Sequence, residues 1–297
     1  MHEIAYHAPE TLAEAMRLLA ESGGAAQPLA GGTDLVLQLE RGADPARVAV
    51  DLKRIPELQG TRSHGGGWRF GALVRMAELE RDAALRAACP ALVAAAGFVG
   101  GPPIRNRATL AGNICNASPA ADTSPALLAL GATVDCAGPG GTRTLPLGDF
   151  WQGPGQTVLT PGELVTGISL PAPPGRSGNA FARLTRSAMD IALINAAAQV
   201  TLDERGHFSD ARLALGACGP TVFLVAGLTE ALAGHPWNEE TRAAAMGMAR
   251  DAARPIDDVR ASADYRRDMA GVLAARCLAQ AIGHATGEPA AGKRDRP

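Results

Sequence analysis

The order of segments in this sequence predicts an α+β fold. Over the first 170 residues, stretches with helical spacing of apolar residues alternate with short strand-like runs. After a linker rich in proline and glycine at 171–178, three strand-like runs are followed by three helical stretches. The chain has 297 residues, of which 46% are hydrophobic, so it is long and apolar enough for about two domains with a sizeable core.

Composition argues against several classes of function. The net charge of -2 gives no electrostatic reason to expect nucleic acid or an acidic membrane as a partner. The aromatic content of 4% argues against a base-stacking surface. No apolar run is as long as a membrane span, and the N-terminus lacks the charge pattern of a signal peptide. We therefore expect a cytoplasmic protein with no membrane span and no nucleic-acid partner.

The cysteines do not form a metal-ligand pattern. There are five, Cys89, Cys115, Cys136, Cys218 and Cys277, with no Cys-x-x-Cys pair and no histidine cluster beside them. The sequence therefore predicts no zinc or iron–sulfur ligand set in this chain. An odd count without a secretion signal is typical of reduced intracellular thiols.

The first fifty residues predict a small βαβ-like unit. Thr11 and Glu14 form a capping-box pattern at the start of a helix that ends at Gly23 and Gly24. A short strand then enters the turn at Gly31, and 48–52 is a second strand.

Later elements follow the same rules of periodicity and punctuation. The predicted strands are 68–73, 133–136, 163–170, 180–185, 193–202 and 211–217, and the predicted helices are 76–88, 91–97, 120–130, 224–233, 239–253 and 265–282. The segment 100–113 is long and poor in periodicity.

One stretch stands out as a candidate binding loop: Pro28-Leu29-Ala30-Gly31-Gly32-Thr33-Asp34-Leu35. Gly31 and Gly32 have no Cβ, so the backbone can turn sharply and direct successive N–H groups at a phosphate or pyrophosphate. Asp34 would repel an anion, and we expect its carboxylate to accept hydrogen bonds from the loop's own N–H groups. The alternative is an ordinary glycine turn between two buried segments.

A second polar stretch follows about eighty residues later. Thr109-Leu110-Ala111-Gly112-Asn113 joins a hydroxyl, a glycine and an amide in one turn, and Asp122 stands where a helix begins. The carboxylate of Asp122 either caps that helix or accepts hydrogen bonds from ligand hydroxyls such as those of a sugar. Two such loops in one domain favour a large, phosphate-bearing ligand over two unrelated turns.

These motifs resemble the two FAD loops of the flavin (medium) subunits of molybdenum hydroxylases, the carbon monoxide dehydrogenase and xanthine dehydrogenase family. The segments 9–15 and 261–267 are also similar to that family, and the resemblance extends to about residue 283. It implies two FAD-binding subdomains of the vanillyl-alcohol-oxidase (PCMH) type, then a C-terminal domain with a three-stranded antiparallel sheet on three helices. The implied divisions are 1–55, 56–174 and 179–285, with a disordered tail at 286–297.

The resemblance also implies the residues that bind FAD. The first loop would wrap the pyrophosphate, the second would hold the phosphates and ribityl chain, Asp122 would bind a ribose hydroxyl, and Phe98 and Val165 would contact the cofactor. The implied set is Leu29, Ala30, Gly31, Gly32, Thr33, Asp34, Leu35, Phe98, Thr109, Gly112, Asn113, Asp122, Val165 and Arg183. No catalytic side chain and no metal ligand belong to it.

Arg183 departs from the family pattern. Xanthine-oxidising relatives place a lysine at this point, where a cation balances negative charge on the reduced flavin. Arginine is a planar fork and lysine a point charge, so the role does not transfer automatically. Arg186 is the neighbouring alternative, and a solvated strand face is the structural alternative for both residues.

The resemblance implies an electron-transfer subunit of an oxidoreductase. Electrons would come from the [2Fe–2S] clusters of a small subunit, beside a large molybdopterin subunit, in a dimer of heterotrimers, and would leave to an external acceptor (NAD, a quinone, a carrier protein or oxygen). Two alternatives compete with it. One is a free-standing FAD-dependent oxidase or dehydrogenase with its own substrate pocket, and the other is a structural subunit that has lost FAD.

Overall fold

The computed structural model describes residues 4–41 and 46–287. Thr11 begins the first helix as predicted, because its hydroxyl accepts the N–H of Glu14 at 3.2 Å. In the described ranges the helices are α1 (Leu12–Glu21), α2 (Leu35–Glu40), α3 (Met76–Arg81), α4 (Ala83–Ala88), α5 (Pro90–Gly97), α6 (Pro102–Arg105), α7 (Leu110–Cys115), α8 (Thr123–Ala129), α9 (Leu228–Leu232), α10 (Glu239–Ala252) and α11 (Ala263–Thr286).

In the part of the chain that the structure describes, the strands fall into four sheets. In chain order they are β1 (Ala5–His7), β2 (Ala26–Leu29), β3 (Val48–Asp51), β4 (Thr61–His64), β5 (Gly67–Gly71), β6 (Thr133–Gly138), β7 (Gly141–Pro146), β8 (Trp151–Gly153), β9 (Gln156–Thr157), β10 (Leu164–Leu170), β11 (Ser177–Leu184), β12 (Ile194–Leu202), β13 (Phe208–Gly216) and β14 (Phe223–Leu224). None of the described helices is both long and apolar enough to cross a bilayer.

The described residues form two compact units. Those of the first lie within Met1–Arg81, Val99–Ser118 and Gly131–Ala172. Those of the second lie within Asp82–Phe98, Pro119–Leu130 and Pro173–Pro297. The second unit therefore takes two segments from the first half of the sequence.

The first unit contains a parallel sheet and an antiparallel sheet. The parallel sheet has the order β1-β3-β2, so the carboxyl ends of β2 and β3 lie at the same edge, with Leu29 opposite Asp51. The antiparallel sheet has the order β4-β5-β10-β6-β7, and β8 and β9 form a separate two-stranded sheet. The large side chains buried completely in this unit include Ile55, Leu58, Phe70, Met76, Leu79, Leu110, Ile114 and Phe150.

The second unit packs helices on an antiparallel sheet of order β11-β12-β13-β14. Its long helix α11 lies along β11 and β12, and α10 lies along α11. Alanine, leucine and valine side chains from these strands and helices form the core. The three long strands and the three C-terminal helices follow the predicted order, and the mixture of helices and sheets confirms the α+β class.

Three helix predictions were wrong in their bounds. The helix predicted over 76–88 is interrupted at Asp82, which is extended and accepts the N–H of Leu85 at 2.9 Å, so that α4 begins anew. The helix predicted over 120–130 begins only at Thr123. The helix predicted over 224–233 begins only at Leu228, because Leu224 pairs with β13 as part of β14. Of the tail predicted at 286–297, residue 286 is the last of α11, residue 287 is its C-cap, and the rest lie outside the described residues.

Candidate functional site

The two predicted loops lie against each other in the first unit. A Cβ on Gly31 would stand 2.1 Å from the carbonyl oxygen of Arg107, so the backbone of the first loop contacts the backbone that leads into the second. Farther along, Asn116 Nδ2 donates to Asp34 Oδ1 at 3.4 Å. Glycine at position 31 is therefore required by the contact between the loops.

The first loop connects β2 to α2 and presents free N–H groups. Gly32 has φ +77°, a conformation that favours glycine. Among the described residues, the N–H groups of Gly32, Thr33 and Asp34 have no hydrogen-bond acceptor. Successive free N–H groups in a turn are suited to an anion such as a phosphate.

Asp34 does not act as expected. It occupies the N-cap position of α2, yet its side chain makes no capping hydrogen bond. Its carboxylate instead accepts the Thr33 hydroxyl and the Asn116 side-chain amide, both at 3.4 Å. The prediction that it accepts the loop's own N–H groups was wrong, because the carboxylate is turned toward the second loop.

The second loop is the N-terminus of α7. The hydroxyl of Thr109 accepts the N–H of Gly112 at 3.1 Å, and the N–H of Asn113 donates to the carbonyl of Thr109 at 3.0 Å. Thr109 is thus the N-cap, which fixes the direction of the helix behind the loop.

A cavity of 540 Å³ opens beside both loops in the first unit. Ala30 and Gly31 of the first loop and Thr109 of the second contribute to its wall. The charged residues of the wall are Lys53, Arg62, Arg75, Glu78 and Arg107. The excess of positive charge favours an anionic ligand.

Lys53 is a residue that the sequence reasoning missed. Its Nζ donates to the carbonyl oxygen of Ala30 at 3.3 Å and lies 2.7 Å from Asp51 Oδ1. Burial raises the pKa of Asp51, but hydrogen bonds from Lys53 and Tyr6 outweigh burial and lower it overall. The sequence did contain a signal for it, because Lys53 is a basic residue that follows the strand β3. That strand pairs in parallel with β2, which leads into the first loop.

Three predicted residues lie in the second unit, and two of them form a buried ion pair. Arg183 Nη1 donates to Asp122 Oδ2 at 2.8 Å, and the two side chains are 4% and 10% exposed. Arg183 Nη2 donates to the carbonyl oxygen of Ala188 at 2.7 Å. The guanidinium carbon lies 4.5 Å from the centre of the Phe98 ring, which is a cation–π geometry.

These contacts decide between two interpretations of the arginines. A solvated strand face is wrong for Arg183, whose side chain is buried. Arg186 is half exposed and pairs with Asp190 at 2.8 Å, but it lies in a bend after β11 has ended at Leu184, so it is solvated without being on a strand. Arg183 therefore has a structural environment that Arg186 lacks.

Asp122 does not cap a helix. It precedes α8, but its side chain makes no capping hydrogen bond. Its Oδ1 accepts from Asn195 Nδ2 at 3.2 Å, and its Oδ2 accepts from Arg183. Burial raises the pKa of Asp122 to about 6, against the lowering by Arg183 and Asn195. Asn195 is a second residue that the sequence reasoning missed.

The two aromatic and apolar candidates have different surroundings. Phe98 follows α5, packs against Phe181 with ring centres 6.1 Å apart, and is 43% exposed. Val165 is buried in β10 of the first unit, opposite Cys136. In residues 4–41 and 46–287, no three His, Cys, Asp or Glu side chains are grouped so as to hold a metal ion.

Two family matches cover nearly the whole chain. Residues 2–173 match the family described as "FAD binding domain in molybdopterin dehydrogenase". Residues 179–281 match the "CO dehydrogenase flavoprotein C-terminal domain". The chain therefore belongs to the FAD-binding subunits of molybdopterin dehydrogenases, which are oxidoreductases, and the predicted family and cofactor are confirmed.

Individual relatives agree with this assignment over nearly their whole length. The chain is 35% identical to the xanthine dehydrogenase FAD-binding subunit of Escherichia coli O157:H7, over 95% of this chain and 97% of the relative. It is 34% identical to the carbon monoxide dehydrogenase medium chain of Hydrogenophaga pseudoflava, over 92% and 95%.

Solved structures give the same result. A carbon monoxide dehydrogenase structure from Hydrogenophaga pseudoflava superposes with a TM-score of 0.91 at 32% identity, over 95% of this chain and 98% of the other. Quinoline 2-oxidoreductase from Pseudomonas putida 86 superposes with a TM-score of 0.89 at 28% identity, over 96% and 98%.

Proposed function

We propose that this chain is the FAD-carrying electron-transfer subunit of a molybdenum hydroxylase complex. The observation that supports this most strongly is the pair of contacting loops in the first unit, with free N–H groups on one of them beside a basic cavity. Bound FAD supplies the redox chemistry, accepting electrons from one partner and giving them to another. The chain's own residues bind and orient the cofactor.

The first unit holds the diphosphate of FAD in this proposal. Leu29 to Leu35 wrap the pyrophosphate through backbone N–H groups, and Thr109, Gly112 and Asn113 hold the other side. Lys53 adds a positive charge at the carbonyl of Ala30. Val165 contributes an apolar contact. The residues fit a dinucleotide because the cavity is large, basic and bordered by both loops.

The remaining candidate residues of the proposal lie in the second unit. Arg183 presents a fixed positive charge, Phe98 an exposed ring face, and Asp122 a carboxylate for a ribose hydroxyl. The division into domains at 1–55, 56–174 and 179–285, which the family resemblance implies, is part of the proposal. It is supported by family matches that end at 173 and resume at 179.

The partners in this proposal are a small [2Fe–2S] subunit and a large molybdopterin subunit, assembled as a dimer of heterotrimers in the cytoplasm. Support comes from relatives named as FAD-binding subunits or medium chains. An external acceptor receives the electrons. This reading competes with a free-standing oxidase, which would need an organic substrate of its own.

The experiment has two steps. First, the purified full chain is denatured, and its flavin is identified and counted; we expect FAD near one per chain and little FMN. Second, the FAD-loaded chain is mixed anaerobically with the iron–sulfur subunit of its own complex after reduction by dithionite. The visible flavin band should then bleach rapidly, and an unreduced partner is the control. Turnover of an organic substrate by the lone chain above about one per second would instead establish the free-standing enzyme.

A further inference from the structure

Asn195 occupies a fully buried position between two notable neighbours on the sheet of the second unit. It is on β12, directly opposite Arg183 on β11 and Gly216 on β13. Opposed residues of paired strands have side chains on the same face of a sheet. A Cβ on Gly216 would lie 2.2 Å from Asn195 Oδ1, so glycine there leaves the space that the amide fills.

The amide of Asn195 is directed at the segment that carries Asp122. Its Nδ2 donates to the carbonyl oxygen of Ala121 and to Asp122 Oδ1, both at 3.2 Å. Asn195 Oδ1 is buried and has no hydrogen-bond partner among the described residues. A buried amide oxygen without a hydrogen-bond partner costs stability. The hydrogen bond that the amide nitrogen donates to the buried carboxylate offsets this cost.

The carboxylate in turn holds the arginine. Asp122 Oδ2 accepts from Arg183 Nη1 at 2.8 Å, so the two oxygens of one carboxylate each receive one donor. The second terminal nitrogen, Nη2, donates to the carbonyl oxygen of Ala188, so the guanidinium has a fixed position over the Phe98 ring. Arg183 is the charged side chain in contact with Asp122, and the facing positions of β12 and β13 are Asn195 and Gly216.

We propose that Asn195 is a positioning residue: it holds Asp122 as a carboxylate aligned with Arg183 and thereby fixes the orientation of the positive charge that Arg183 contributes to the proposed FAD-binding set. This inference rests on the proposed function of Arg183. Without the amide donor, the buried carboxylate takes up a proton more readily, and Arg183 loses its counter-charge and its fixed orientation. A net positive charge near the flavin favours the reduced form, which carries more negative charge.

The test measures the flavin midpoint potential of the full chain loaded with FAD. The measurement is repeated over a pH range centred on about 6, where Asp122 is expected to titrate. Asn195→Leu removes the amide and keeps the approximate volume. Asn179→Leu is the matched control, because Asn179 is also a buried amide on the sheet but bonds to Ala88 and Ala91 instead. Arg183→Gln tests the underlying role of the arginine.

We expect the wild-type curve of potential against pH to show an inflection set by Asp122. In Asn195→Leu the inflection should move up by about 1–2 pH units, the amount that corresponds to one hydrogen bond to a charged group. The potential at neutral pH should rise, and Asn179→Leu should superpose on the wild type. If Asn195→Leu does not fold, Asn195→Ala should give the same shift, and Asp122→Asn should lose the inflection.

The outcomes separate the inference from the proposed function. A shift in Arg183→Gln with none in Asn195→Leu would overturn only the role of Asn195. Equal shifts in Asn195→Leu and Asn179→Leu would mean a general packing effect and would also overturn it. An unchanged potential in Arg183→Gln would remove the proposed role of Arg183, and with it this inference. An inflection that persists in Asp122→Asn would have the same consequence for Asn195.

Discussion

The candidate residues of the two units present their polar groups by different means. In the first unit the candidate groups are mainly backbone N–H groups of a loop that is held in place by the close contact at Gly31. The charged side chain beside them, Lys53, is 40% exposed. In the second unit, Asp122, Arg183 and Asn195 are buried side chains that hold one another. A backbone site depends on the path of the chain, whereas a side-chain site depends on the charge state of each member. Mutation and pH should therefore affect the two sets differently.

The largest effect is expected from Asp122→Ala. This change leaves Arg183 and the Asn195 amide without their shared acceptor inside the second unit. Removing one partner of a buried ion pair costs about 3–5 kcal/mol in the free energy of unfolding. Urea denaturation followed by circular dichroism measures it. The control is Asp190→Ala, since Asp190 pairs with the half-exposed Arg186, and its loss should be much smaller. Equal losses would contradict the distinction between buried and exposed pairs.

The next effect concerns pH. Burial raises the pKa of the folded Asp122 carboxyl to about 6, from its ordinary value of 3.8. The folded state therefore binds this proton more tightly, so the stability it contributes is fully present below pH 3.8 and is lost as pH rises through about 6. Relative to Asp122→Asn, the wild type should lose up to about 3 kcal/mol between acid and neutral pH.

Urea denaturation of both proteins over that range gives the measurement. Asp190 supplies the opposite sign, because hydrogen bonding to Arg186 lowers its pKa. Its contribution is present above its ordinary pKa and is lost as the pH falls. If the wild type and Asp122→Asn keep a constant difference in stability, Asp122 does not titrate as described.

A smaller effect is expected from Gly31→Ala in the first unit. The added methyl group would meet the Arg107 carbonyl at 2.1 Å, and both groups belong to the backbone. Forcing the loops apart should cost about 1–3 kcal/mol in FAD affinity or stability. Retention of FAD on gel filtration and urea titration measure both quantities. Gly140→Ala is the control, because a Cβ there has nothing within 4 Å. Full FAD retention by Gly31→Ala would show that the loop contact is dispensable.

The smallest effect is expected from Lys53→Gln. Because Lys53 is partly exposed, its charge should contribute about 1 kcal/mol or less to FAD affinity, and less as salt is raised. Fluorescence titration of the apoprotein with FAD at low and high salt provides the measurement. Arg54→Gln, one residue along and two-thirds exposed, should leave the affinity unchanged. If both changes lowered the affinity for FAD equally, Lys53 would act only through the general electrostatic field of the protein and not through a specific contact.

The backbone set was predictable from the sequence, and the side-chain set only in part. Gly31 and Gly32 mark the first loop because turns and close contacts favour residues without a Cβ. The contact of Gly31 with Arg107 was not predictable, since it depends on how distant segments meet. Asp34 was assigned the wrong partners for the same reason.

Elements with strong local signals were recovered well, and those governed by tertiary pairing were not. The long helix α11 and the strands β11 and β12 follow their apolar spacing. The role of Asn195 depends on its register opposite Arg183, which no local pattern encodes. The break at Asp82 had a local signal, because aspartate is a preferred N-cap, but the surrounding helical pattern masked it.

The family matches divide the chain once, near residue 174, whereas its compact units are interleaved along the sequence. The helix α5 is made early, yet its Ala91 N–H bonds to Asn179 Oδ1, which is synthesised almost ninety residues later. Because chains fold largely during synthesis, α5 and α8 keep their apolar faces exposed until β11 and β12 have been synthesised. A protein truncated at the linker would therefore not be a self-sufficient cofactor domain, since it would contain these two helices without the strands they pack against.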